Sequence, residues 1–119
     1  PVINGDGEFS RDFTFIDNVV QMNLLAISSG NKKALNQVYN VAFGERTTLN
    51  ELVAALRLKL ANFDAKIGAV NIEYGPNRIG DIPHSLASIN KAKKLLGYHP
   101  EFSFEKGLDE AVKWYWENL

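Results

Sequence analysis

The chain predicts an α/β fold, and three observations carry that prediction. Stretches of strand character alternate with stretches of helical periodicity in the order strand, helix, strand, helix, strand, helix, helix. The helical stretches carry their own start and stop signals, with Thr48 and Ser103 at capping positions and Gly97 at a stop. A length of 119 residues with 45% hydrophobic content suffices for one packed domain without disulfide staples.

Each element follows from its own residues. Val2-Ile3 and Phe13-Thr14-Phe15-Ile16 read as short strands around a polar loop from Gly5 to Asp12, whose two glycines permit a tight turn. Asp17 is placed to cap a helix over about Asn18 to Ser29, with Val20, Leu24 and Ile27 on one face and Gly30 as a left-handed stop. Gln37 to Phe43, with Val38, Val41 and Phe43, is the most strand-like run, and it contains Asn40, a polar residue that must find a partner. Thr48-Leu49-Asn50-Glu51 is a capping box, and Leu49, Leu52, Val53, Leu56 and Leu60 form the apolar stripe of the helix it opens. Val70, Ile72 and Tyr74 alternate with Asn71 and Glu73 at the period of a half-buried strand, which leads into Gly75-Pro76-Asn77-Arg78. Ser88 predicts the cap of a short helix through Leu96. Ser103 predicts the cap of a last one, with Phe104, Leu108, Ala111, Val112 and Tyr115 on one face.

Charge and composition remove several classes of function. Lys and Arg number 13 against 14 Asp and Glu, so the net charge of −1 supplies no field to gather nucleic acid or an anionic membrane, and any anion binding must be local. Cysteine is absent, which excludes disulfides, thiolate metal sites and a cysteine nucleophile, and points to the cytoplasm. His84 and His99 are the only histidines and have no ligand-spaced carboxylate cluster, so no metal site is expected. Apolar runs such as Val53-Ala54-Ala55-Leu56 fall far short of the roughly 20 residues that span a bilayer. The lysines of Lys91-Ala92-Lys93-Lys94 read as a solvated helix face, and Trp114 and Trp116 as core or interface packing. A start at Pro1 rather than methionine, directly inside a strand, suggests a piece of a longer protein.

Two loop stretches concentrate the chemistry. Gly5-Asp6-Gly7-Glu8-Phe9-Ser10-Arg11-Asp12-Phe13 and Arg78-Ile79-Gly80-Asp81-Ile82-Pro83-His84-Ser85 each set one arginine beside glycine and aspartate. An arginine presents a planar fork of permanently charged donors, so two forks converging from distant parts of the chain can clamp a diphosphate. With Tyr39-Asn40-Val41 between them and Leu96-Gly97-Tyr98-His99-Pro100 after them, these stretches resemble the C-terminal part of the extended short-chain dehydrogenase/reductase family of nucleotide-sugar epimerases, nearest to the UDP-N-acetylglucosamine 4-epimerase group. The resemblance runs from Pro1 to about Leu119.

It implies an α/β substrate-binding lobe over residues 1–119, with the Rossmann core largely absent. It places Arg11 and Arg78 on the diphosphate of a UDP-sugar, and gives Asp81 either the uridine ribose or the orientation of Arg78. Val2 and Asn4 stand where the family brackets uracil. Ser85, four residues after the aspartate of Arg-x-Gly-Asp, stands opposite the sugar 2-substituent, where a small side chain admits an N-acetyl group. The implied partner is therefore UDP-N-acetylglucosamine or UDP-N-acetylgalactosamine.

The same resemblance implies NAD in the parent enzyme, and none bound by these residues. The family's Tyr-x-x-x-Lys is absent: the residues four after Tyr39, Tyr74, Tyr98 and Tyr115 are Phe43, Arg78, Phe102 and Leu119. Gly5 to Ser10 lacks the third glycine of a dinucleotide fingerprint. The expectation is a substrate-binding portion of a UDP-N-acetylglucosamine/UDP-glucose 4-epimerase that is inactive alone. A dehydratase or decarboxylase on another nucleotide sugar, or a non-catalytic protein-interaction domain, are the rivals. The Val38 to Phe43 strand would lie at the edge of a parallel sheet not present here, and its unpaired edge predicts a homodimer.

Overall fold

Strands and helices alternate as expected in the computed structural model, which describes residues 1–119. They run β1 (Val2–Asn4), β2 (Ser10–Arg11), α1 (Ile16–Ser28), β3 (Thr47–Thr48), α2 (Leu49–Leu60), β4 (Glu73–Gly75), α3 (Asn90–Leu96) and α4 (Phe104–Asn118). Single 3₁₀ turns lie at Lys32–Ala34 and Ala65–Ala69. β1 pairs in parallel with β4, Val2 opposite Glu73, Ile3 opposite Tyr74 and Asn4 opposite Gly75. β2 pairs antiparallel with β3, Ser10 opposite Thr48 and Arg11 opposite Thr47.

The helix signals act as read where they are local. Thr48 Oγ1 accepts from the Glu51 amide at 3.1 Å while the Glu51 carboxylate accepts from the Thr48 amide at 2.7 Å, closing the capping box. The Thr48 amide, and after it the Thr48 hydroxyl, which donates to the same carboxylate at 3.0 Å, hold the Glu51 pKa below its ordinary value. The predicted stripe of α2 is half-buried throughout, and Lys59 on the same helix reaches Asp109 at 2.6 Å and Glu105 at 2.9 Å on α4. Ser103 caps α4 through the Lys106 amide, and Gly97 ends α3 in the left-handed conformation.

Two residues close the core. Tyr98 is fully buried among Met22, Ala34, Ala42, Ile89, Ala92 and Leu96, and its hydroxyl donates to the Ala42 carbonyl at 3.0 Å. Burial, followed by the charge of Asp12, raises its pKa. Asn18 is also fully buried: its Nδ2 donates to the Phe102 carbonyl at 2.7 Å, and its Oδ1 accepts from the Glu101 and Phe102 amides at 3.0 Å each. One side chain thus pins the segment entering α4 onto α1.

Several elements differ from the sequence expectation, each because strand and face depend on a partner. Residues 12–15 form no strand. Phe13 and Phe15 instead pack on Phe104 and Phe102, ring centroids 5.9 and 5.0 Å apart. Phe15 rather than Asp17 holds the N-cap position of α1, and Asp17 sits in the first turn, where an acid suits the helix dipole. Gly30 is not left-handed, because α1 has already ended with Ser29 extended. Val20, Leu24 and Ile27 point to solvent, Ile27 84% exposed, while Asn18, Met22 and Leu25 take the core side.

Gln37 to Phe43 is likewise no strand, since no neighbouring strand supplies ladder bonds. Side chains serve it instead: Lys91 Nζ donates to the Val38 carbonyl, and Asn40 Nδ2 to the Ser88 carbonyl. The edge on which homodimer pairing was expected is therefore not preformed. β4 is confined to Glu73–Gly75 because β1 offers only three residues to pair, and α3 starts at Asn90 with Ile89, not Ser88, at its N-cap position. Tyr115 is exposed rather than buried with the α4 stripe.

The result is a flattened body of 53 × 35 × 19 Å with only 13 of 119 residues buried. Its radius of gyration is 17.2 Å, against about 13.5 Å for a compact domain of this length. The apolar faces left open on α1 and at Val38 account for that sparse core. No helix is long and apolar enough to cross a membrane.

Candidate functional site

The two motif-bearing stretches meet. β1 runs beside β4, and past its end the Gly5 amide donates to the Gly75 carbonyl at 3.0 Å, so the first loop and the Gly75–Arg78 segment leave the ladder together. At the other end of the loop, the Ser10 amide donates to the Pro83 carbonyl at 2.9 Å and the Ser85 amide to the Ser10 carbonyl at 3.1 Å. Ser10 Oγ and His84 Nδ1 are also hydrogen-bonded, at 2.9 Å. Residues 5–10 and 75–85 therefore lie side by side, stitched at both ends.

Between the stitches, the Arg-x-Gly-Asp sequence makes a turn. The Asp81 amide donates to the Arg78 carbonyl at 3.2 Å, with Gly80 at φ +82° in the third position. A side chain is disfavoured at that φ, which explains glycine there. The turn carries Arg78 outward, where its exposed side chain makes no hydrogen bond or ion pair.

Arg11 is fixed. Its Nη1 donates to the Ser10 carbonyl at 2.9 Å and to the Pro83 carbonyl at 3.4 Å, and its Nη2 to Asp81 Oδ1 at 2.8 Å. These three bonds use part of a guanidinium with five N–H donors, so two N–H groups remain for a ligand. Asp81 thus orients Arg11, not Arg78. The Asp12 carboxylate accepts from the Phe43 and Gly44 amides and forms no ion pair with Arg11. Arg11 and Arg78 share this corner with Asp81, and Asp6 and Glu8 lie on the adjoining loop.

The remaining candidates fall around this corner. The Val2 and Asn4 side chains are exposed on β1, and Ser85 is exposed one residue beyond His84. Asn50 was missed. Its Nδ2 donates to the Asp6 carbonyl at 3.1 Å and to Glu8 Oε1 at 2.6 Å, while its Oδ1 accepts from the Tyr74 hydroxyl at 3.0 Å. The Asn50 and Leu49 amides, which the start of α2 leaves without helical partners, donate to the Gly7 and Phe9 carbonyls at 3.1 Å each. A Cβ on Gly7, whose φ is +80°, would stand 2.0 Å from Asn50 Oδ1. The only sequence signal for Asn50 was its place inside the capping box.

Residues 1–111 match the sequence profile of the family described as GDP-mannose 4,6 dehydratase. The UDP-glucuronate 4-epimerase of Thermodesulfobacterium geofontis is 32% identical over 98% of this chain and 33% of its own length. Among solved structures, the UDP-N-acetylglucosamine 4-epimerase of Methanobrevibacter ruminantium, in complex with UDP-N-acetylmuramic acid, is 37% identical with a TM-score of 0.83, over 100% of this chain and 35% of its own. MoeE5, in complex with UDP-glucuronic acid and NAD, is 27% identical with a TM-score of 0.81, over 100% of this chain and 37% of its own. The chain spans about a third of the length of these relatives. Its fold corresponds to the C-terminal part of the epimerase structures.

Proposed function

Since this chain belongs to the GDP-mannose 4,6 dehydratase family, within the extended short-chain dehydrogenase/reductases, we propose that residues 1–119 bind the UDP moiety of a UDP-N-acetylhexosamine and are the substrate-binding lobe of an NAD-dependent 4-epimerase. One observation carries the reading: Arg11 is held by Ser10, Pro83 and Asp81 beside the turn that projects Arg78. Two guanidinium groups on adjoining segments, one preorganised and one free, fit a diphosphate, whose oxygens accept from both. Preorganisation matters because a fork already held loses less freedom on binding.

In this reading the exposed Val2 and Asn4 take the uracil, Asp81 holds Arg11 and offers its second oxygen to the ribose, and Ser85 leaves room for the N-acetyl group. Arg11, Arg78, Asp81, Val2, Asn4 and Ser85 thus form one binding surface. NAD belongs to a second lobe, in keeping with the cofactor that accompanies the nucleotide sugar in MoeE5. This chain holds no Tyr-x-x-x-Lys to move the sugar 4-hydroxyl proton, so it supplies binding and not turnover. The exposed face of Val20, Leu24 and Ile27 supports a second lobe packed against α1.

The test is titration of UDP, UDP-N-acetylglucosamine and uridine into the chain, followed by amide chemical shifts. UDP is expected to shift Arg11, Arg78 and the Val2–Asn4 amides, and uridine alone to act only at the last. Arg11→Ala and Arg78→Ala should each cost about 1.5–3 kcal/mol, the range for hydrogen bonds to charged groups, or roughly ten- to hundredfold in Kd. Equal binding of UDP and uridine, or unchanged UDP affinity in both variants, overturns the reading. So does turnover of UDP-N-acetylglucosamine by the chain alone, for the part that assigns it binding only.

A further inference from the structure

The two arginines are already tied by the backbone bonds at Gly5–Gly75 and Ser10–Pro83 and by the Arg11–Asp81 ion pair, and one further side chain adds to that register. The arginines sit on separate arms. One is the loop Gly5–Phe9, which β2 continues to Arg11; the other is β4, which Pro76 and Asn77 continue to Arg78. Asn50 belongs to neither, yet its side chain bonds to both: Nδ2 to Asp6 and Glu8 on the first arm, Oδ1 to the Tyr74 hydroxyl on the second. Its backbone amide adds a bond to the Gly7 carbonyl.

We propose that Asn50 is a positioning residue for diphosphate binding, an amide at the rigid start of α2 that locks the Arg11 arm and the Arg78 arm to each other. The chemistry suits asparagine alone among residues of that size, because the bridge needs donors toward a carbonyl and a carboxylate and an acceptor toward a phenol. Aspartate keeps the acceptor and loses the donors. Leucine fills the space and keeps neither. Gly7 is the complementary feature: its left-handed backbone and missing Cβ let Asn50 Oδ1 approach to where a methyl group would stand. The helix start itself does not depend on this side chain, since Thr48 and Glu51 close the capping box without it.

This inference rests on the diphosphate reading, and the experiment separates the two. UDP and uridine are titrated into the wild-type chain, Asn50→Ala, Tyr74→Phe, Arg11→Ala and the Asn50→Ala/Arg11→Ala double variant. Asn50→Ala is expected to weaken UDP about tenfold, within the range of charge-linked hydrogen bonds, with uridine affinity unchanged. Tyr74→Phe removes one hydroxyl from a side chain 56% exposed, so it folds regardless, and a weakening of about threefold is expected for the single neutral bond it loses.

The distinguishing result is the cycle. If Asn50 acts through Arg11, then Asn50→Ala changes UDP affinity less than twofold in the Arg11→Ala background. Full additivity, or equal losses for UDP and uridine, marks Asn50 as a structural residue only and overturns the inference. Unchanged UDP affinity in Asn50→Ala and Tyr74→Phe, with Arg11→Ala weakened, overturns it while sparing the diphosphate reading. An Arg11→Ala variant that binds UDP like the wild type overturns both.

Discussion

Asn18→Ala is the substitution whose consequence follows most directly from the fold. The side chain is fully buried and makes three hydrogen bonds, at 2.7, 3.0 and 3.0 Å, to the backbone of Glu101 and Phe102. Each is worth about 1 kcal/mol net, so losing the set costs about 3 kcal/mol. Alanine returns about 0.6 kcal/mol through its better helix propensity. The orphaned Phe102 carbonyl and the Glu101 and Phe102 amides add a desolvation cost of about 1 kcal/mol or more. The net expectation is about 3 kcal/mol, or roughly 10 °C in Tm for a chain of this size. Urea unfolding followed by tryptophan fluorescence measures it, with Asn23→Ala as the control. Asn23 lies on the same helix but is exposed, so its replacement should leave stability unchanged or slightly raised. A loss below about 1 kcal/mol for Asn18→Ala, or one equal to that of Asn23→Ala, would refute the assignment of Asn18 as the clamp between α1 and the entry to α4.

Other outcomes follow from single features. Gly80→Ala meets no atom within 4 Å but must keep φ near +82°, a strain of about 1–2 kcal/mol. The turn sheds that strain only by opening and moving Arg78, so UDP binding should weaken roughly fivefold or more, and a loss of stability without a loss of binding counts against the turn as an arginine carrier. Glu51 has a depressed pKa in the folded chain, so its contribution is present above the ordinary glutamate value and fades as pH falls through the folded one. Glu51→Gln should accordingly be less stable than the wild type at pH 7, and the gap in urea midpoint should narrow as pH falls below the ordinary glutamate value of about 4.3. A gap that does not narrow at all as the pH is lowered contradicts the capping role of the carboxylate. The Lys59 pKa is raised, by Asp109 first and Glu105 second, so its contribution holds at neutral pH and is lost as pH rises through the folded value. Both acids are largely exposed, so Lys59→Met should cost no more than about 1 kcal/mol and the cost should shrink in 1 M salt.

What the sequence determined by itself is what short-range chemistry decides. A capping box needs only Thr48 and Glu51 three residues apart, a left-handed stop needs only Gly97, and a serine cap needs only Ser103 ahead of an apolar face, so those helix ends stand where the residues put them. The motif pair around Arg11 and Arg78 was legible for a related reason: each arginine sits beside the glycines that shape its own turn. Tertiary structure alone decided whatever depends on a distant partner. Gln37 to Phe43 has strand residues but no neighbouring strand, and a strand exists only by its ladder bonds. The apolar stripe of α1 faces outward because Asn18 and Met22 own the inner side, a choice made by Phe102 and Tyr98 from far along the chain. By sequence Asp81 went with the ribose or with Arg78, its neighbour in the chain, whereas the stitch of Ser10 to Pro83 and Ser85 brings Arg11 to it. Asn50 reads as one more polar residue in a helix start until Asp6, Glu8 and Tyr74 arrive around its amide. A hydrogen bond between residues tens of positions apart leaves no local periodicity, which is why those four assignments waited for the fold.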